Sequence, residues 1–178
     1  MIPNSKNPAA APAETNTLAP RPWVAAPSLN DLAPGSVATI ETPHGRFELT
    51  VRETGPVGAA FDQLAYAATT RPSWDTKALT QWAEALTNRV TYLMEPLRVL
   101  EIDTEERHVE LRSPQPTQRQ GGRFFYQAVL DHSGLLTLKR FRFDEADRKR
   151  EQVPLQLTRE TLERLMEDCA LTASSIKN

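Results

Sequence analysis

The chain has 178 residues, 39% hydrophobic and 25% charged, which suffices for one ordinary domain of about 100–150 residues plus a surplus. Lys+Arg of 21 against Asp+Glu of 23 leaves a net charge of −2, excluding a global field that would draw in nucleic acid or membranes. The single Cys169 excludes an internal disulfide framework and a multi-cysteine zinc cluster, and no apolar run approaches the roughly 18–20 residues that span a bilayer.

Seven of the 14 prolines fall in Met1–Pro34, beside Ala, Asn, Ser and Thr and few large apolar groups. Such a segment cannot offset its ordering entropy, so a disordered or polyproline-like tail is expected over 1–34, followed by one domain over 35–178. Trp23 is the tail's only large aromatic, suited to docking onto the domain or to a short partner-binding motif. Met1–Ala13 lacks the basic start and apolar stretch of a secretory signal, and the expectation is a cytoplasmic, water-soluble protein.

Ser36–Arg52 predicts a β-hairpin turning at His44-Gly45. That turn sets Ala38, Ile40 and Thr42 opposite Val51, Leu49 and Phe47 on an apolar face, with Glu41 opposite Glu48 on the wet one. After the Gly55-Pro56 break, Phe61, Leu64, Ala65 and Ala68 recur at helical spacing and predict a short helix closed by Arg71-Pro72. A longer helix starts at the N-cap Asp75, buries Leu79, Trp82, Ala83, Leu86, Val90 and Leu93, and stops at Glu95-Pro96.

Beyond Pro96 the period becomes two. Arg98–Ile102 and Arg107–Arg112 predict paired strands around Asp103–Glu106, with Leu100, Ile102, Val109 and Leu111 inward. Ser113–Gly122 reads as a loop. Two more strands, Arg123–Leu130 and Leu135–Phe143, flank the turn 131–134, and a last strand, Arg148–Leu155, leads to a helix capped by Thr158. In that helix Leu162, Leu165, Met166 and Cys169 share one stripe, and Leu157 is placed to staple onto Leu162. The expected architecture is α+β: an N-terminal hairpin and a C-terminal meander in a largely antiparallel sheet, with two central helices and one C-terminal helix packed on one side.

Motifs for chemistry are sparse. His44, His108 and His132 fall at three different turns without the i, i+3 or i, i+4 spacing that brings two imidazoles to one metal. Gly121-Gly122 lacks the strand and helix of a phosphate loop, no Gly-x-Ser-x-Gly elbow occurs, and Asp103–Glu106 lacks the twelve-residue loop of a calcium hand. No metal, cofactor or catalytic group is expected.

The meander carries more information. The simplest register sets Phe124 opposite Phe141, Tyr126 opposite Lys139 and Leu130 opposite Leu135 as a core face. The other face then holds Phe125 and Leu138 beside Arg123, Arg140 and Arg142. A turn at Asp144–Asp147 brings Lys149 opposite Arg142 and Glu151 opposite Arg140, making a row Arg123–Arg142–Lys149 beside Phe125. Apolar groups behind a basic rim suit an anionic or amphipathic partner. The function expected is a non-enzymatic adaptor offering Arg123, Phe125, Leu138, Arg140, Arg142 and Lys149 to a protein with an acidic or amphipathic surface. The alternatives are nucleic acid or a phosphorylated ligand on the same basic row, disfavoured by the single outward aromatic, and an enzyme with a loop-assembled site.

Overall fold

The computed structural model describes residues 31–70 and 73–176; the expected tail through Asn30, with Trp23, and the Arg71-Pro72 break lie outside them. The described residues form ten strands and two helices. In chain order these are β1 (Val37–Thr42), β2 (Gly45–Thr54), β3 (Gly58–Ala68), α1 (Thr76–Arg89), β4 (Arg98–Asp103) and β5 (His108–Arg112). Then come β6 (Thr117–Arg119), β7 (Gly122–Asp131), β8 (Leu135–Asp144), β9 (Lys149–Val153), β10 (Leu155–Thr158) and α2 (Arg159–Ser175). One antiparallel sheet runs β1-β2-β3-β8-β7-β5-β4, with β6 beside β7. The α+β class and the mainly antiparallel sheet are as expected. No described helix is long and apolar enough to cross a membrane.

The expected helix over Phe61–Ala68 is instead strand β3, so there are two helices among the described residues rather than three. A pair of bulges explains the misleading spacing. Val51 pairs with Phe61 but Thr50 pairs with Gln63, which leaves Asp62 extra on β3; between Val51 and Glu53, Arg52 is extra on β2. The Asp62 bulge reverses the inward–outward alternation of β3, so the core-facing set runs Ala59, Phe61, then Leu64, Tyr66, Ala68, and the three-residue step from Phe61 to Leu64 mimics a helical stripe. The two extra residues meet, with Arg52 Nε donating to Asp62 Oδ1 at 2.6 Å. A helix here would have left the ladders of β2 and β8 unpaired, so tertiary hydrogen bonding overrides the alanine-rich local preference.

The first hairpin differs in a gentler way. Its turn is Pro43-His44, with Thr42 across from Gly45, Ile40 from Phe47 and Ala38 from Leu49. This two-residue slip preserves parity, so Ile40, Phe47, Leu49 and Val51 are buried as expected. It also parts the expected Glu41–Glu48 couple: Glu41 faces Arg46, and Arg46 pairs with Glu48 at 3.0 Å.

β3 and β8 pair only over Leu64–Ala67 and Leu135–Leu138. Beyond that they splay, and the expected strand Arg148–Leu155 enters the gap as two pieces broken at Pro154: β9 pairs with β8, and β10 with β3. Both helices cover the same sheet face, α1 over β4, β5 and β7, and α2 over β3 and β10. Asp75 caps α1 by accepting from Ala78 N at 2.8 Å, and Thr158 caps α2 by accepting from Thr161 N at 3.2 Å. α1 ends at Arg89, a turn short of Glu95-Pro96, though Val90 and Leu93 remain buried.

Between sheet and helices lies an aromatic stack. Phe47 stacks on Tyr66 at 4.4 Å, Tyr66 meets Trp82 edge-on at 6.3 Å, and Trp82 lies 4.7 Å from Trp74. Trp82 donates from Nε1 to Thr172 Oγ1 on α2 at 3.1 Å. The helices are clamped further along by Asp168, which accepts from Arg89 Nε at 2.8 Å and from the Tyr92 hydroxyl at 3.0 Å. Leu32, within the segment expected as tail, is also buried in the core.

Edge strand β4 reverses one expectation. Val99, not Leu100, pairs with Leu111, because Leu100 is a bulge between Val99 and Glu101. Val109 and Leu111 are buried as expected, but Leu100 is 54% and Ile102 43% exposed, since an edge strand has no outer neighbour to cover them. The Ser113–Gly122 segment is also more ordered than a plain loop. It contains β6, and Ser113 is buried, donating from Oγ to the Glu95 carbonyl at 2.9 Å and accepting from Tyr126 N at 3.0 Å.

Cys169 sits in the α2 core stripe and is fully buried, and burial, then the Asp168 carboxylate, pushes its thiol well above the ordinary range. We expect native protein at pH 8 to resist a maleimide reagent and to react on addition of denaturant. Stoichiometric labelling of the native protein within seconds would contradict this packing.

Candidate binding face

The turn joining β7 and β8 decides which side chains point away from the helices. Gly134 adopts φ +82°, and its N–H donates to Asp131 O at 2.9 Å, while the Asp131 carboxylate caps Ser133 N at 2.8 Å. A left-handed glycine at the end of a turn inserts one more residue into the loop, so Leu130 pairs with Leu136 rather than the expected Leu135. A β-carbon at Gly134 would lie 2.3 Å from Trp74 Nε1, which leaves the position to glycine.

That shift of one residue exchanges the faces of β8 relative to β7. Across from the inward Phe124, Tyr126 and Ala128 stand Arg142, Arg140 and Leu138. The six expected site residues are therefore divided. Leu138 is buried, beside Ala128 and Leu64. Arg140 lies between the rings of Phe124 and Tyr126, 5.3 Å from each, rather than over Phe125. Its partner is not Glu151 but the fully buried Glu95, reached through Nε at 3.2 Å and an Nη at 2.8 Å. Arg142 is held by Asp144 at 2.7 Å and Glu151 at 2.8 Å, and Lys149 falls across from Asp144. The expected cation row Arg123–Arg142–Lys149 does not form. The same hairpin carries a depressed Asp144 pKa, caused first by the Asp147 backbone N–H, then by Ala146 N–H and by Arg142.

Arg123 and Phe125 do share the outer face, with residues that the sequence reading missed. Phe125 is across from Phe141, their rings stacked at 5.8 Å, and Phe141 is across from Gln152 on β9. One step along, Arg123 is across from Phe143, and Phe143 from Arg150. One step the other way runs Arg98, Arg112, Gln127 and Lys139 over four strands. An aromatic row thus lies between two rows that carry cations. The only clue in sequence was Gly134, whose left-handed preference implies the longer turn.

Guanidinium groups cover the rings. Arg150 sits 3.6 Å over Phe141 and 5.4 Å from Phe125, whose ring also meets Arg112 at 5.3 Å; Arg123 lies 5.1 Å over Phe143. All three phenyl rings are half-buried. Burial and then the nearby Arg112 lower the Arg150 pKa, as expected where two like charges meet over one ring; Arg150 also donates to the Gln127 side-chain carbonyl. Arg112 pairs with Glu110 and Arg123 with Glu145, both at 3.3 Å. Among the described residues no carboxylate lies within 4.0 Å of Arg98, Lys139 or Arg150. Cations laid over these half-buried rings give the surface a chemistry complementary to anions and to flat, electron-rich groups.

Two other places were candidates for chemistry. At the β4–β5 turn, ligand-type atoms of Asp103, Glu106 and His108 lie within 4.8 Å of one another, although Asp103 Oδ1 already accepts from the N–H groups of Glu105 and Glu106 at 2.8 Å. A shallow cleft at the β2–β3 turn is lined by backbone and small side chains around Gly55, Gly58 and Leu157, with Glu53 its one titratable group. Neither presents a nucleophile beside a base. No protein-family model matches the chain, and neither the curated proteins nor the solved structures include a match.

Proposed function

We propose that this protein is a non-enzymatic, cytoplasmic binding module whose outer sheet face, centred on Phe125, Phe141 and Arg150, docks an anionic partner. One observation carries the reading: three half-buried rings and the guanidinium groups over them lie on the sheet face that neither helix covers. Helix packing has no use for them there. Arg140 and Arg142, by contrast, are occupied by carboxylates of their own chain and belong to the fold.

Charge reversal tests the assignment. Arg112→Glu with Arg150→Glu removes three cation–π contacts at the surface, so the melting temperature should fall by only about 3–8 °C. Affinity for a fluorescent polyanion, whether polyglutamate or an oligonucleotide, should fall at least about tenfold. Equal binding by wild type and the double variant, or no binding by wild type, would overturn the assignment.

A further inference from the structure

We propose that the anionic partner of this face is single-stranded nucleic acid, its bases on the Phe125–Phe141–Phe143 platform and its phosphates on the flanking cation rows. The inference rests on the binding face argued above and narrows its occupant. The corrected register removes the main objection raised by the sequence, a lone outward aromatic, because three rings now share the surface. Every base has a π-face, so phenyl rings, and guanidinium planes laid upon them such as Arg150 on Phe141, make a sequence-tolerant stacking surface.

The layout of charge agrees. Two residues along a strand is about 6.7 Å, so the row with Arg112 and Lys139 and the row with Arg123 and Arg150 each stand that far from the Phe125–Phe141 row. From those rows Arg112, Arg123 and Arg150 reach back over the rings, so their charge lies within 3.6–5.4 Å of the ring centroids, beside any base stacked there. The net charge of −2 does not oppose this: Glu110 and Glu145 pair with Arg112 and Arg123 at this face, but Arg98, Lys139 and Arg150 have no carboxylate within 4.0 Å among the described residues. Glu95, Asp144 and Glu151 serve the helix-side face, and Glu101 with Glu110 forms the next cross-strand row, which bounds the basic zone on one side.

An acidic protein fits less well. β7 and β8 are hydrogen-bonded on both sides along this face, so an incoming peptide gains no backbone ladder there.

Fluorescence anisotropy with the full chain and labelled single-stranded oligo-dT and oligo-U, the matching duplex, and polyglutamate of equal charge separates the possibilities. Single strands of either sugar should bind at least about tenfold tighter than duplex or polyglutamate, and the two arms report whether DNA or RNA is preferred. With about four phosphates engaged, affinity should drop roughly 50-fold between about 50 and 200 mM salt. Phe125→Leu with Phe141→Leu keeps apolar bulk on the strands but removes the rings; it should weaken single-strand binding at least about fivefold and leave polyglutamate binding unchanged. Polyglutamate or duplex binding as tight as single strands, or indifference to the leucine pair, overturns the nucleic-acid assignment while the binding face stands. No probe binding to wild type, or full binding retained by Arg112→Glu/Arg150→Glu, overturns both.

Discussion

Trp82→Ala should lower the free energy of unfolding by about 3–5 kcal/mol, the cost of a large aromatic lost from a rigid core. The indole is fully buried where three elements meet: Tyr66 of β3 at its edge, Trp74 at its face, and Thr172 of α2 accepting its N–H. Removal therefore leaves a cavity and also strips the Thr172 hydroxyl of a donor. Trp82→Phe separates the two effects, keeping most of the volume and losing only the hydrogen bond, worth about 0.5–1.5 kcal/mol. Urea unfolding of both variants measures the difference. A cost below about 1 kcal/mol for the alanine variant would mean that α1 is rotated away from the sheet.

Glu95→Ala should be comparably severe, at about 3–5 kcal/mol, because it leaves the Arg140 guanidinium between two rings without its carboxylate. Glu95 lies in the segment between α1 and β4 and Arg140 on β8, so this pair, with Ser113 bridging the Glu95 carbonyl to Tyr126, fastens the connection after α1 onto the sheet. Arg140→Ala alone should cost a similar amount by stranding a fully buried carboxylate. The double variant Glu95→Leu/Arg140→Met should recover most of the loss, since no buried charge remains. Additive losses in that cycle would show that the two side chains do not act as a pair. None of these changes touches the outer face, so polyanion binding by the folded fraction should stay at the wild-type level.

Local chemistry was enough for much of this molecule. Asp75 and Thr158 announce their helices because a short oxygen-bearing side chain satisfies an orphan backbone N–H wherever the stripe begins. The Leu79–Trp82–Leu86 and Leu162–Leu165–Cys169 stripes name their buried faces from periodicity alone. Even the mistaken turn of the first hairpin left its faces right, because a slip of two residues conserves parity. What only the tertiary structure decided are the places where one residue is added to a strand or a turn. The Asp62 bulge made strand β3 look helical, the Leu100 bulge exposed an apolar edge, and Gly134 moved Arg140 and Arg142 inward while bringing Phe141 and Phe143 out. Side chains alternate with a period of two, so a single extra residue inverts everything beyond it, and its position is settled by pairing with strands far away in sequence.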